Sequence, residues 1–396
     1  MRVAIFIERL NVGRGGRERS TIETAVRLVR RGCEVAIVCM RASVDVPPGQ
    51  PSIIPPGMLG KELTIVELGD AGPGRAGRMR NFIASARAIA QGTQYDITHA
   101  MLPVPGASVY QLRSGTAPGL LQAHLRRFGP VGRLFRKLTW PINRTRAALA
   151  ALEAQVVADQ RTWCLPVSRM VAQELQRFYG RSERVRVVFN AASVPEVSPE
   201  DKLRMRGDTR RALGVGPEDF LLLCPAMNFQ LKGVREAIQA LSRFQARRGG
   251  PRTSQLVVLG REMPEGYQRL ASMESVGSQV KFLPPASDIW PMYAAADAVV
   301  LLSWYDPCSR VVLEAIGFGT PCITTAFNGA GEAMDGAGIV VSSPADREAV
   351  VAAYERLADP AQRTQFLQAC RRAGAVCNES RYVDELLAVY KEVAAT

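Results

Sequence analysis

Short apolar segments of strand length alternate with amphipathic helical segments along this chain. The apolar run 3–7 precedes a glycine-containing loop and apolar residues at helical spacing, and a second apolar run occupies 35–40. A strand, a helix and a second strand in this order form a crossover unit, whose two strands are parallel. The first forty residues therefore predict an α/β domain.

The alternation continues to the end of the chain and restarts once. Further strands are predicted at 63–68, 95–100 and 162–167, with helices at 78–90 and 167–179. The proline-containing stretch 188–199 interrupts the pattern. After it, six strands are predicted at 220–224, 255–260, 280–283, 298–302, 321–325 and 338–341, with helices such as 234–246 and 347–357 between them.

This pattern predicts two doubly wound parallel sheets, each in a Rossmann-like domain. We expect a first domain at 1–190, a second at 191–378, and a terminal helix within 379–396 that returns to the first domain. Open sheets of this type bind ligands at the carboxyl ends of their strands, so we expect the active site between the two domains.

The composition indicates a soluble chain with a basic surface. Fifty Lys and Arg residues against 37 Asp and Glu give a net charge of +13, which attracts phosphate groups. The eight cysteines form no C-x-x-C pair, which argues for a reducing cytoplasm and against structural zinc. No run of about 18 uncharged apolar residues is present, and the first apolar run is too short for a signal peptide.

Three local motifs could carry chemistry. Gly13, Gly15 and Gly16 follow a strand and open a helix, where backbone N–H groups could receive an anion, although a plain tight turn explains them equally well. The order differs from the dinucleotide fingerprint, and no acidic residue ends the second strand, so an NAD site is not expected. Lys232 and Gly233 precede a helix, where the ammonium and the helix dipole would suit a diphosphate.

The third motif runs from Asp306 to Pro321. Asp306 precedes a predicted helix start near Ser309, and Glu314 lies inside that helix among apolar residues. Asp306 could be a simple N-cap ahead of Pro307. A buried carboxylate without partners costs several kcal/mol, so Glu314 needs a hydroxyl or a cation, such as the ribose diol of a nucleotide.

These motifs together resemble the retaining glycosyltransferases of family 4, which have the two-domain GT-B fold. The family signature has two acidic residues separated by seven positions, then Ala and a Gly-x-Pro turn. Asp306, Glu314-Ala315 and Gly319-Thr320-Pro321 match that order. Within the family, the segments 232–234, 312–316 and 322–326 are most similar to the lipopolysaccharide core enzymes that add glucose to heptose.

The resemblance implies a role for each matching residue. Glu314 would hold the ribose of a nucleotide sugar, Lys232 would neutralise the diphosphate without a metal ion, and Asp306 would lie near the transferred sugar. The remaining donor-binding residues would be Gly15, Gly16, Leu283, Ser309, Arg310 and Val311. The sequence departs from the family where Asp306 replaces Glu and Leu231 replaces a basic residue, and Arg310 could compensate for the latter.

Two further features concern the first domain. His99 ends a predicted strand and could position the acceptor or the sugar, although a satisfied structural histidine is equally plausible. The segment 97–152 has no acidic residue and interleaves basic and apolar side chains, which favours binding to an anionic membrane surface over a solvated face or single-stranded nucleic acid. Its expected interface residues are Arg126, Arg127, Arg133, Arg136, Lys137 and Trp140.

The resulting hypothesis is a metal-independent, retaining transferase without a cofactor. It would move a hexose, expected to be glucose, from a UDP-linked donor to a lipopolysaccharide-core or lipid-linked saccharide, at the cytoplasmic face of the membrane. A non-catalytic scaffold that binds a nucleotide or saccharide is the alternative, and a nucleotide-sugar epimerase on the same fold is less favoured. No nucleic-acid partner is expected.

Overall fold

The computed structural model describes residues 1–11, 16–44, 53–139, 143–248 and 253–395. It divides into two compact units. The first unit combines Met1–Phe189 with Glu379–Thr396, and the second is Asn190–Asn378. The expected boundary at residue 190 and the observed one differ by a single residue.

The first unit contains a six-stranded parallel sheet. Its strand order is β5-β3-β1-β6-β7-β8, and β2 and β4 form a separate two-stranded parallel sheet. The strands are β1 (Arg2–Phe6), β2 (Leu10–Asn11), β3 (Glu34–Cys39), β4 (Ala42–Ser43), β5 (Leu63–Glu67), β6 (Ile97–Ala100), β7 (Val109–Leu112) and β8 (Trp163–Pro166). Every residue of β6 and β7 is buried, as expected for central strands covered on both faces.

Helices cover this sheet. They are α1 (Gly16–Arg30), α2 (Gly74–Ala90), α3 (Ala117–Arg126), α4 (Pro130–Thr139), α5 (Arg144–Ala158) and α6 (Arg169–Tyr179). The C-terminal helix α14 (Glu379–Ala394) belongs to the same unit, because it buries Tyr382, Leu386 and Tyr390 there.

The second unit repeats the architecture. Its sheet has the order β11-β10-β9-β12-β13-β14, and every adjacent pair is parallel. The strands are β9 (Phe220–Pro225), β10 (Ser254–Leu259), β11 (Val280–Leu283), β12 (Ala298–Leu301), β13 (Cys322–Thr325) and β14 (Gly338–Val341). The helices are α7 (Pro199–Leu213), α8 (Val234–Arg248), α9 (Glu265–Met273), α10 (Trp290–Ala295), α11 (Arg310–Phe318), α12 (Arg347–Ala358) and α13 (Pro360–Val376).

The two predicted parallel sheets are confirmed. The core of the second unit forms where the apolar faces of α8 and α12 pack on β9, β10 and β12, around large buried side chains such as Phe244 and Tyr354. No helix of the described ranges is long and apolar enough to cross a bilayer.

Candidate functional site

The candidate site of the second unit lies where the strand order reverses. Strand β9 pairs with β10 on one side and with β12 on the other, so the loops after β9 and β12 diverge at the same edge of the sheet. Lys232 lies in the loop after β9, and Asp306 lies in the loop after β12. Such switch points are the usual ligand sites of open α/β sheets.

Gly233 sets the path of the loop that carries Lys232. Its φ is +71°, in the left-handed region, and a Cβ placed there would lie 2.2 Å from the carbonyl oxygen of Leu302. The N–H of Trp304 donates to the carbonyl of Leu231 at 2.9 Å, which joins the two loops. Only glycine fits this close approach of the two backbones.

Lys232 and Asp306 form an ion pair in this arrangement. The Asp306 backbone is held on both sides, because its N–H donates to the carbonyl of Phe327 at 2.8 Å and its carbonyl accepts from the N–H of Gly329 at 2.9 Å. The Lys232 and Asp306 side chains are 20% and 12% exposed, so they are partly shielded from water but remain accessible. Partial shielding strengthens the attraction between this ammonium and a bound anion.

Glu314 lies on the mostly apolar helix α11, and its carboxylate is next to both a hydroxyl and a cation. The hydroxyl of Tyr293 donates to Glu314 Oε2 at 3.2 Å, and the Arg310 guanidinium lies one turn away, with its Nε 3.5 Å from Oε1. Burial, followed by the nearby Glu314 charge, raises the pKa of Tyr293 well above its ordinary value, so this phenol stays a hydrogen-bond donor. The carboxylate keeps further acceptor positions for a ligand.

The other expected donor-binding residues lie around the start of α11 and the end of β11. The N–H of Ser309 donates to Asn328 Oδ1 at 3.2 Å, so this amide already has a partner within the protein. Val311 is half-buried in the first turn of α11, and Leu283 is half-buried at the last position of β11.

Sequence reasoning missed Tyr293 and Asn328. Tyr293 lies 21 positions before Glu314 and meets it only because α10 and α11 pack together. Asn328 is 2% exposed and bonds Ser309, Ala330 and Thr324, which fixes the turn after β13. The sequence carries no signal for either residue, because the burial of Asn328 and the contact of Tyr293 with Glu314 arise only in the folded chain.

The structure does not support a catalytic role for His99. Its side chain is 0% exposed in β6, and the hydroxyl of Tyr390 in α14 lies 2.5 Å from its Nδ1. Burial, with the charge of Arg113, lowers the pKa of His99 to about 3. The imidazole is therefore a neutral packing residue beneath the C-terminal helix, and a substrate does not reach it.

Gly15, Gly16 and the membrane-interface residues are the remaining expected site residues of the first unit. Gly15 and Trp140 lie outside the described residues, and Gly16 is the first residue of α1. The expected membrane-interface arginines lie on α3 and α4 or next to them. Arg126 ends α3, Arg127 follows it, and Arg133, Arg136 and Lys137 are exposed on α4.

Two glycosyltransferase family models match successive parts of the chain. A model described as Glycosyltransferase Family 4 matches residues 14–194, and one described as Glycosyl transferases group 1 matches residues 219–359. The chain belongs to glycosyltransferase family 4. The chain is therefore an enzyme, a glycosyltransferase.

Individual relatives of this glycosyltransferase differ in their substrates. A D-inositol 3-phosphate glycosyltransferase of Actinosynnema mirum is 27% identical over 352 residues, covering 80% of this chain and 76% of the relative. The lipopolysaccharide glucosyltransferase WaaG of Escherichia coli is 30% identical over 141 residues, covering 35% and 37%.

Solved structures establish the fold. A crystal structure of WaaG superposes with a TM-score of 0.73 at 22% identity, covering 99% of this chain and 98% of that one. Anabaena HepE in complex with UDP and glucose gives 0.67 at 18% identity, covering 100% and 98%. The glycosyltransferase described here has the GT-B fold.

Proposed function

We propose that this glycosyltransferase moves a hexose, glucose in the first instance, from a UDP-linked donor to a saccharide acceptor with retention of configuration. The acceptor is proposed to be a lipopolysaccharide-core or lipid-linked saccharide at the cytoplasmic face of the membrane. The observation that supports the donor assignment best is the Lys232–Asp306 pair beside the start of α11.

Each donor-site residue has a physical role in this proposal. Lys232 would neutralise charge that develops on the leaving diphosphate, which stabilises the transition state without a metal ion or other cofactor. Glu314 would accept hydrogen bonds from the ribose while it keeps Tyr293. Asp306 would orient hydroxyls of the transferred sugar, and Arg310 would supply the second positive charge that Leu231 does not provide.

Helix α4 supports the proposed membrane contact. Val131, Leu134 and Phe135 are 84%, 62% and 63% exposed, although they are large apolar side chains. Exposed basic side chains lie between and after them on the same helix. A helix with this composition is suited to the interface of an anionic bilayer.

The donor assignment is tested by equilibrium binding of UDP and UDP-glucose. We expect Lys232→Ala and Glu314→Ala each to weaken UDP-glucose binding by at least about tenfold, because each removes a charge-assisted hydrogen bond. Arg269→Ala is the control, since it removes an exposed charge from α9 of the same unit. If neither variant differs from the control, the donor site is wrongly placed.

Turnover separates the enzyme from the scaffold alternative. The assay follows release of UDP with lipopolysaccharide-core oligosaccharide or, in view of the relatives, D-inositol 3-phosphate as acceptor. Release that depends on the acceptor and is abolished in Lys232→Ala supports transfer. Tight binding of UDP-glucose without release for any acceptor favours the scaffold.

A further inference from the structure

The first unit contains a cavity of about 610 Å³ at the carboxyl edge of its sheet. It opens where the strand order reverses between β1 and β6, which makes this edge the equivalent ligand position of the first unit. Residues that follow β1, β6 and β7 line it, together with parts of α1, α2, α3 and α5.

Arginines dominate the charged lining. Five guanidinium groups face the cavity from four separate segments, namely Arg9, Arg75, Arg78, Arg113 and Arg146. Three carboxyl groups accompany them, those of Glu8, Glu18 and Glu153. The lining therefore has an excess of positive charge, and it belongs to a unit with 30 Lys and Arg against 17 Asp and Glu.

Two of these three carboxyl groups, those of Glu153 and Glu8, have partners within the protein. Glu153 is 5% exposed, and its Oε1 accepts from the Tyr179 hydroxyl at 2.6 Å and from the N–H of Ala117 at 2.7 Å. Burial raises the pKa of Glu153. Glu8 lies 3.8 Å from Arg75. The three carboxyl groups are fewer than the five guanidinium groups, so they cannot neutralise the whole cluster.

Two of the arginines occupy positions that local electrostatics disfavours. Arg75 is the second residue of α2 and Arg146 is the third residue of α5, and neither first turn contains an acidic residue. The N-terminus of a helix is the positive end of its dipole, so cations there are unfavourable and a bound anion is favourable. Local rules that are broken together around one cavity indicate a binding function.

Arg113 is held in place by a different set of contacts. Its guanidinium donates to the hydroxyls of Ser20 and Thr21 in α1. The hydroxyl of Thr116 nearby caps α3 and donates to Glu174 at 2.7 Å. These contacts fix the loop after β7, so the cavity is a built site with ordered polar walls.

We propose that this cavity binds the acceptor through a phosphate group on the acceptor saccharide, with Arg75, Arg78 and Arg146 as the residues that determine this specificity. This inference rests on the proposed glycosyl transfer, since it assigns a chemical class to the acceptor. A phosphate monoester carries nearly two negative charges and accepts several hydrogen bonds, which matches a cluster of guanidinium groups better than a neutral hydroxyl does.

Calorimetric titration with glucose 6-phosphate, glucose and glucuronate tests the proposal. Saturating UDP is present, so that the donor site of the second unit does not bind the sugar phosphate. We expect glucose 6-phosphate to bind at least about tenfold more tightly than glucose, because the charge-assisted contacts form only with the phosphate. Equal binding of these two sugars, or equal binding of glucuronate and glucose 6-phosphate, would overturn the phosphate assignment.

Variants locate the binding. The triple variant Arg75→Gln, Arg78→Gln, Arg146→Gln should lose at least about tenfold in affinity for glucose 6-phosphate and keep its affinity for UDP. Arg80→Gln is the matched control, because Arg80 is exposed on α2 but does not line the cavity. An equal loss in Arg80→Gln would show a non-specific charge effect and refute the site.

These experiments distinguish failure of the proposed donor site from failure of the acceptor inference. If UDP does not bind the wild type, the donor assignment fails, and the difference between the triple variant and Arg80→Gln still reports on the cavity. If UDP binds as expected and that difference is absent, only the acceptor inference fails. Glutamine keeps helix propensity and removes cations from helix starts, so we expect the triple variant to be folded.

Discussion

Asp306 holds the ammonium that the donor diphosphate would need. Because Lys232 is paired with this carboxylate in the free protein, a bound diphosphate must compete with Asp306 for it. We therefore expect Asp306→Asn to bind UDP about fivefold more tightly, since the anionic competitor is removed. The same change should lower the transfer rate at least about tenfold if Asp306 orients the sugar.

Calorimetry with UDP and a steady-state assay of UDP release measure these two effects independently. Asp208→Asn is the control, because Asp208 is an exposed residue of α7 in the same unit. Weaker UDP binding in Asp306→Asn would mean that Asp306 supports the donor site by fixing Lys232 and does not compete with the donor.

The candidate site has no room for a side chain at position 233, where the chain has glycine. In Gly233→Ala, the left-handed backbone costs about 1–2 kcal/mol, and the new Cβ collides with the Leu302 carbonyl, which adds to it. We expect a total loss of about 2–4 kcal/mol in the free energy of unfolding, measured by denaturant titration. Gly266→Ala in α9 meets no atom within 4 Å and should be neutral or stabilising by up to about 1 kcal/mol. Similar losses in both variants would contradict this account.

Helix α14 shows how an element distant in sequence completes the first unit. Tyr390 contacts His99 of β6, and the Tyr382 hydroxyl exchanges hydrogen bonds of about 3 Å with the Gln111 side chain of β7. Arg27 of α1 forms an ion pair with Glu379, and Arg31, which follows α1, forms one with Asp384. The helix therefore shields polar groups of β6 and β7 from water.

This shielding makes the stability of the first unit depend on pH. The pKa of His99 is about 3 in the folded chain and near 6.5 when unfolded, so below pH 6.5 only the unfolded chain takes up the proton. Stability then falls with decreasing pH between about 6.5 and 3, by about 1.4 kcal/mol per pH unit from this group.

The His99→Gln variant lacks this titration. Denaturant unfolding at pH 7 and pH 5 should therefore show a smaller decrease for His99→Gln than for the wild type, whatever the absolute stability of the variant. His124→Gln is the comparison variant: burial and nearby arginines also lower the pKa of His124, but this side chain is only half-buried in α3, so we expect a smaller effect than at His99. If the free energy of unfolding decreases by the same amount in His99→Gln as in the wild type, the imidazole takes up its proton as readily in the folded chain as in the unfolded one.

Helix α4 carries the prediction for membrane binding. Replacing Val131, Leu134 and Phe135 with Ser should weaken binding to vesicles of phosphatidylcholine and phosphatidylglycerol at least about tenfold, because the apolar area that enters the interface is lost. Co-sedimentation measures the bound fraction. Leu203→Ser, at an equally exposed leucine of α7 in the second unit, should leave binding unchanged. The membrane assignment fails if the triple variant binds like the wild type.

The fold of the whole chain was largely predictable because parallel strands are continuous apolar runs. Strands β11 and β14 have the predicted limits, and β9, β10, β12 and β13 differ by one residue at one or both ends. Strand β7 was missed, since Val109–Leu112 is short and its Gln111 is buried only through Tyr382, far away in the sequence. The basic segment 97–152 was expected to be interfacial as a whole, whereas its described part folds into the buried strands β6 and β7, the helices α3 and α4, and the first part of α5.

The candidate site was predictable to the extent that it depends on local sequence. The spacing of Lys232, Asp306 and Glu314 identified the loops and the helix that carry them. The partners Tyr293 and Asn328, the burial of His99 beneath α14 and the arginine cavity all depend on packing between distant segments. Periodicity does not contain that information.

The net charge of the molecule resides entirely in the first unit. That unit has 30 Lys and Arg against 17 Asp and Glu, whereas the second unit has 20 of each. The excess positive charges of the first unit would together attract an anionic membrane. A nucleotide bound to the second unit, which has no net charge, would interact with only the few charged side chains next to it.

This asymmetry predicts two different responses to salt. Between 0.05 M and 0.3 M NaCl, a change that shortens the Debye length from about 14 Å to about 6 Å, binding to phosphatidylglycerol-containing vesicles should fall more than about tenfold. UDP binding should fall less than about threefold, because its contacts are short and partly shielded from solvent. Vesicle co-sedimentation and UDP calorimetry in the same salt series measure both, with vesicles of phosphatidylcholine alone as the uncharged control. If vesicle binding and UDP binding weaken by the same factor, the net charge of the first unit does not act on the membrane separately from the second unit. That result would contradict the proposed division between a basic acceptor-binding unit and a neutral donor-binding unit.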